Sequence, residues 1–243
     1  MGATAKAALL PDRRTAALHM TGVIAASALV FASLSPRALP GSDPALLAAM
    51  TLRMPLLLLL ASVSLRRLGL DWAAVGLRWP GWKRTLGVSL GGYVLLALVV
   101  APVRLGLRAA HLAPDYAAFA VLQGNALLFW LWALPMAVVS GAICEELLFR
   151  GYLRHLCRVL LAHEGRAAEA AVIVLQAAIF GALHAYQGPG GMILAFAGGV
   201  VLGAVYLLGK RSLAPGMIVH GVTNVASLTA FYLGLVPQGG GGI

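Results

Sequence analysis

The chain has 243 residues, of which 60% are hydrophobic and only 11% charged, with a mean hydropathy of +0.89 and a formal net charge of +10. A soluble domain has about a quarter of its residues charged, so a water-soluble globular fold is excluded. Nor does the positive charge mark a nucleic-acid binder. The lysines and arginines lie between apolar runs and form no patch interleaved with aromatics, which is the positive-inside pattern of a polytopic membrane protein.

Residues 1–15 read as a disordered or surface-bound N-terminal segment, 16–235 as a single transmembrane domain without repeats, and 236–243 as a flexible glycine-rich tail. Spanning a bilayer takes about 20 apolar residues, and such runs occur near 16–34, 45–65, 85–103, 127–150, 170–186, 192–208 and 213–235. The pattern predicts an all-α transmembrane bundle of about seven to eight helices with an intramembrane polar cavity. The first run follows Arg13 and Arg14 without a small-residue cleavage site, so it reads as a retained helix. Lys6 stands where a myristoylation signal needs Ser or Thr.

Ser35–Pro44 reads as a turn. Arg53 and Pro55 interrupt the second run, and the expectation is a kinked helix whose arginine snorkels to the interface, with a substrate-binding role for Arg53 as the alternative. Arg66–Arg84, with Trp72, Trp79 and Trp82, has the composition of a segment lying at the headgroups. Gly87 with Gly91, and Gly199 with Gly203, are small-residue faces for helix packing. They serve packing within one chain or between copies alike, so no oligomeric state follows.

Leu105–Gln123 reads as a loop with a short amphipathic helix. The next helix begins within 125–134 and ends near Arg154, leaving 157–170 as a cytoplasmic surface helix. Gln187–Gly191 reads as a tight turn. Most basic residues precede the first run or fall in 66–84, 150–166 and at Lys210 and Arg211; the opposite side has Arg37, Arg104 and Arg108. That asymmetry predicts a multi-pass protein of the cell (inner) membrane with a cytoplasmic N-terminus. The lipid bilayer is then its surrounding partner, and no nucleic-acid partner is expected.

Chemistry concentrates at Glu145 and Glu146, two of only eight acidic residues, placed at the end of a long apolar stretch. A carboxylate at membrane depth costs roughly 3 kcal/mol or more, so it needs a partner or a task. Arg150 is at i, i+4 from Glu146 and so shares its helix face, while Glu145 projects elsewhere. His184 lies in a later run, and His220 and Asn224 share a face of the last one. Six polar groups on three helices are expected to converge, because scattered in lipid they would go unsatisfied at several kcal/mol each.

Glutamate and histidine can hold a water and take its proton, and His220 with Asn224 can donate to a developing oxyanion. Three uses stay open on the residues alone: general-base hydrolysis, a zinc site through Glu145, His184 and His220, and proton-coupled transport. No His-Glu-x-x-His is present, and no inverted repeat supports a transporter. Cys144 and Cys157 have no metal or disulfide spacing and read as buried thiols.

At these residues the sequence resembles the CPBP family of intramembrane endopeptidases, the CAAX-processing and bacteriocin-processing or Abi proteases. The motifs Glu-Glu-x-x-x-Arg, Phe-x-x-x-His and His-x-x-x-Asn stand here as Glu145-Glu146 to Arg150, Phe180 to His184 and His220 to Asn224. Val75-Gly76-Leu77-Arg78 is similar to family members too, so the likeness runs from about 66 to 233. The resemblance implies proteolysis of a membrane-anchored protein or peptide, with Glu145 and His184 activating water. It also implies that Glu146 and Arg150 organise the site and that His220 and Asn224 form the oxyanion hole. No cofactor is expected, zinc being the minority reading. A non-catalytic relative, such as a bacteriocin-immunity protein of the same fold, is the alternative.

Overall fold

The computed structural model describes residues 12–33, 44–162 and 164–236. The first eleven residues, the turn expected at 35–44 (save Pro44) and the glycine-rich tail beyond 236 lie outside the described residues. Within them the chain is all helix and turn, with no strand. The helices are α1 (Arg13–Ser33), α2 (Pro44–Arg67), α3 (Trp82–Ala109), α4 (Ala126–Leu161), α5 (Arg166–Ala182), α6 (Gly188–Leu208) and α7 (Ala214–Tyr232). Lipid supplies no hydrogen bonds, so each spanning backbone must satisfy itself, and a helix does so.

Among the described residues, three helical stretches are long and apolar enough to cross a membrane: Trp82–Ala109, Ala126–Leu161 and Ala185–Leu208. On α3, Leu86, Leu90, Val94 and Leu98 recur every four residues and stay exposed, whereas Thr85, Ser89, Gly92 and Leu96 are buried on the other side. An apolar stripe left open beside a small-residue face turned inward is what lipid contact produces. These are the features of a membrane protein.

α4 is the axis of the bundle. Asn125 caps it, its side chain accepting from Leu128 N–H at 3.0 Å. Ala162 closes it in the left-handed conformation at φ 46°. Its middle is π-helical over Ala133–Cys144 and Glu146–Leu153, a winding that is rare and frequent at functional sites. Leu148, Phe149, Tyr152 and Leu153 pack on Met54, Leu57 and Ala61 of α2 and on Phe180 of α5 as one buried core. A second cluster gathers Phe119, Trp132 and Phe231 at the far end of α4.

Three expectations are corrected. There is no separate surface helix at 157–170: α4 continues to Leu161, and α5 starts at Arg166 after a short turn. Gly188–Gly191 is the first turn of α6, tucked so closely that a Cβ on Gly190 would lie 1.8 Å from the Leu112 carbonyl oxygen. Gly87 and Gly91 face open space, and the close approach on α3 is made by Gly92, where a Cβ would meet Val205 at 2.7 Å. Gly199 and Gly203 do pack, against Ala177 and Ile173 of α5.

The segment between α2 and α3 is stitched to the turn between α6 and α7. Leu213 N–H donates to the Gly76 carbonyl at 2.9 Å, Tyr206 Oη to Val75 at 3.2 Å, and Ser212 Oγ to Arg78 at 2.6 Å. Gly76, at φ 112°, permits this: a Cβ would lie 2.7 Å from the Arg211 carbonyl oxygen. Trp79 and Trp82 stay exposed, while Trp72 turns inward and donates to Ser62 Oγ at 3.1 Å.

Candidate functional site

The six motif residues come from three helices that pack together. Glu146 is fully buried between α4 and α7. Its Oε1 lies 2.9 Å from Arg150 Nη1 and accepts from His220 Nδ1 at 2.9 Å. The close approach of α7 depends on Gly216, where a Cβ would sit 2.8 Å from Glu146 Oε2. Arg150 is also fully buried, with its guanidinium carbon 4.5 Å from the centre of the Phe180 ring. A delocalised cation on an aromatic face keeps charge at depth where water cannot solvate it.

His220 thereby links both glutamates. With Nδ1 held by Glu146, its Nε2 faces Glu145 Oε2 at 3.8 Å. That spacing is too long for a direct hydrogen bond and is the kind of separation a water bridges. His184 follows directly on α5, and its Nδ1 donates to the Phe180 carbonyl at 2.9 Å. A carbonyl only accepts, so the Nδ1 proton is fixed there and Nε2 is left as the acceptor of the neutral ring. Phe180 therefore serves both neighbours: its ring carries Arg150 and its carbonyl orients His184.

Asn224 donates from Nδ2 to the Ala137 carbonyl at 3.1 Å, which leaves its second N–H free of that bond. It lies against Gly141, where a Cβ would come within 2.7 Å of Nδ2. Glu145, His184, His220 and Asn224 line one cavity of about 480 Å³, with Gly141 and Phe180 in the same wall. Glu146 and Arg150 lie behind that wall. The convergence expected from the sequence is present.

How His184 reaches this cavity follows from two helix lengths. A late start to α5 had been expected to bring it level with the glutamates. In the structure α5 starts early, but α4 runs on to Leu161, so Glu145 lies about as far before the end of α4 as His184 lies beyond the start of α5. At 1.5 Å per residue the two distances are about 24 and 27 Å.

The cavity also contains residues outside the motifs. Arg53 of α2 lines it, only 6% exposed, with its guanidinium carbon 5.4 Å from the centre of the Tyr186 ring. The snorkelling expected of Arg53 is therefore overturned, since an aromatic face and a shared carboxylate-lined cavity hold the cation inside. Tyr186 in turn stacks on His184, with ring centres 5.8 Å apart. The signal in the sequence was a charge ten residues into an apolar helix. Arg104, Tyr116 and Gln187 line the cavity too, all from the end of the bundle opposite Arg66–Arg84 and Lys210.

Among the described residues no three His, Cys, Asp or Glu side chains gather as metal ligands. Cys144 and Cys157 are buried free thiols.

These features define a membrane-embedded helical bundle with carboxylates and imidazoles around an internal cavity. Residues 126–226, from the start of α4 to the middle of α7, match the family of type II CAAX prenyl endopeptidases, Rce1-like, and all three motifs fall within the matched stretch. No curated protein and no solved structure gives a significant match to the chain. The family implies, in general terms, proteolysis of a membrane-associated protein. The Val75–Arg78 segment lies outside the matched stretch.

Proposed function

We propose that the protein is an intramembrane endopeptidase in which Glu145 is the general base. A water held between Glu145 and the two imidazoles attacks the scissile carbonyl carbon as Glu145 takes its proton. The oxyanion receives hydrogen bonds from the free N–H of Asn224 and from Nε2–H of His220, whose ring acts here as the doubly protonated imidazolium because its Nδ1–H already donates to Glu146. On collapse the C–N bond breaks, and the proton taken from water passes to the leaving amine, with His184 Nε2 available to relay it. Glu146 and Arg150 do not touch the substrate; they fix the ring of His220.

The observation that carries this reading is that Glu145, His184, His220 and Asn224 line a single cavity, with Glu145 and His220 Nε2 spaced for a bridging water. No step needs a metal. We also place the N-terminus in the cytoplasm of a bacterial-type inner membrane, which turns the cavity mouth outward; the basic residues at the opposite end of the bundle support this.

The test uses detergent-purified protein and a membrane-anchored reporter peptide. Glu145→Gln and His184→Ala should each lower turnover by about 10²–10⁴-fold while the protein stays folded. Full turnover in the Glu145 variant would reject the assignment. Elemental analysis with a chelator titration addresses zinc separately, and the expected result is activity without bound metal.

A further inference from the structure

A second cavity lies where the segment between α2 and α3 meets the turn after α6, and neither the motifs nor the reaction uses it. It has a volume of about 570 Å³ and is lined by Arg78, Lys83, Arg84 and Lys210 around Gly81 and Trp82, with no carboxylate among its described lining residues. Two of the cations are held in place. Arg78 Nη2 donates to the Lys210 carbonyl at 2.5 Å, and Arg84 Nη2 donates to the Leu208 carbonyl at 3.2 Å. Each bond uses one N–H of a five-donor guanidinium, which leaves the others for a ligand. The Lys83 ammonium stands 5.6 Å from the centre of the Trp82 ring. α3 also begins here, after Gly81, without a side-chain cap, so the N–H groups of its first turn add a positive end to the same place.

The cavity continues into a channel along α3. Lys83, Gly87 and Gly91 follow one another at four-residue spacing and so lie on one row of the helix. A Cβ on either glycine would meet nothing within 4 Å. The neighbouring row, Trp82, Leu86, Leu90 and Val94, is exposed along its length. A tryptophan at the head of an apolar stripe marks the depth of the headgroups. A bare channel beside an apolar ridge therefore runs from the four cations into the hydrocarbon. Phosphate suits one end of it and an acyl chain suits the other.

From this arrangement we infer that the cavity binds the phosphate of an anionic phospholipid, with one acyl chain seated over Gly87 and Gly91. The inference is independent of the endopeptidase reading, because none of these residues lines the cavity of Glu145.

The experiment titrates detergent-purified full-length protein with phosphatidylglycerol, phosphatidylcholine and glycerol phosphate, and counts bound molecules by native mass spectrometry. Phosphatidylglycerol should bind about tenfold more tightly than either of the others. Each interfacial lysine contributes roughly fivefold, so Lys83→Gln combined with Lys210→Gln should weaken that binding by about 10–30-fold. Both side chains are exposed, and the fold should survive their loss. Arg66→Gln combined with Arg67→Gln removes the same charge from the exposed last turn of α2, outside the cavity, and should leave binding near wild type. Gly87→Phe should weaken phosphatidylglycerol by filling the channel while the thermal midpoint without lipid holds.

An equal loss in the two double variants would overturn the inference, since attraction by the whole basic end needs no site. Equal affinity for phosphatidylcholine would overturn it as well. Glycerol phosphate bound as tightly as the lipid would leave a phosphate site and remove the acyl channel. A shift from dimer to monomer in Gly87→Phe, with lipid binding unchanged, would assign the channel to a second copy of the chain and overturn the lipid.

Discussion

Arg150 and Arg154 stand one turn apart on α4 and are both buried, yet they belong to opposite kinds of ion cluster. Arg150 faces Glu146 on its own helix, in a chamber closed by Phe180 and α7, and that one carboxylate oxygen is shared with His220. Arg154 reaches to α5, where Glu169 also pairs with Arg158 and with Arg211 from the turn after α6. There a single carboxylate has three arginines, and Arg211 is half exposed. The inner pair has few partners and little water; the outer one has surplus charge and solvent. Geometry is what the inner pair supplies, and tethering is what the outer one supplies.

The difference is sharpest on deletion. Removing one member of a buried ion pair costs about 3–5 kcal/mol, because the other is left charged without water. Arg150→Met should therefore lower the thermal midpoint in detergent by several degrees, and Glu146→Gln somewhat less, since the amide can still accept from His220. The double variant should recover part of the loss. Additive losses would show that the two side chains do not depend on each other.

Next in size is the wall of the site. Gly141→Ala puts a methyl 2.7 Å from Asn224 Nδ2 and 3.1 Å from the Met136 carbonyl oxygen. Overpacking of this kind costs about 1–3 kcal/mol. It should cut turnover more than stability, because Asn224 is the side chain that must move. Comparing kcat with thermal midpoint checks this.

The outer cluster should respond to acid instead. Burial pushes the Glu169 carboxyl up, but Arg154, Arg211 and Arg158 outweigh it and hold it below its ordinary 4.5. A lowered folded-state value means that its contribution is complete above about pH 4.5 and is lost as pH falls further. Thermal midpoints of wild type and Glu169→Gln, measured from pH 7 downward, should differ at neutral pH and converge below that value. A gap that persists at pH 3 would assign its role to packing. At neutral pH the effect should be about 1 kcal/mol or less, as for an accessible pair.

Smallest is the contrast between two glycine faces. Gly87→Ala meets nothing within 4 Å and should be neutral or stabilising by up to about 1 kcal/mol, whereas Gly203→Ala meets Ile173 at 2.9 Å and should destabilise. Equal effects would mean that lipid-facing and packed glycines are not distinguished by the bundle.

This last pair shows how much of the molecule was legible in advance. Helix existence and the gathering of Glu145, Glu146, Arg150, His184, His220 and Asn224 followed from hydropathy and from the cost of polar groups in lipid, whereas only three of the seven expected runs are, among the described residues, helices long and apolar enough to span. Which glycine face packs did not follow, because a small-x-x-x-small spacing describes both lipid-facing and buried stripes. The C-terminal end of α4 was misplaced because an arginine such as Arg154 looks like a boundary, although Glu169 lets it stay inside. Arg53 was misread for a related reason: sequence shows the cost of a buried charge but not the Tyr186 face that offsets it.

One further consequence follows from the unbroken length of α4. The carboxylate that faces the cavity and two of the arginines that grip Glu169, Arg154 and Arg158, ride on the same continuous helix, in which Gly151 is a buried helical residue rather than a turn. Whatever tugs on the outer arginines leans on Glu145 as well. The bundle's basic rim is, mechanically, a handle on its interior.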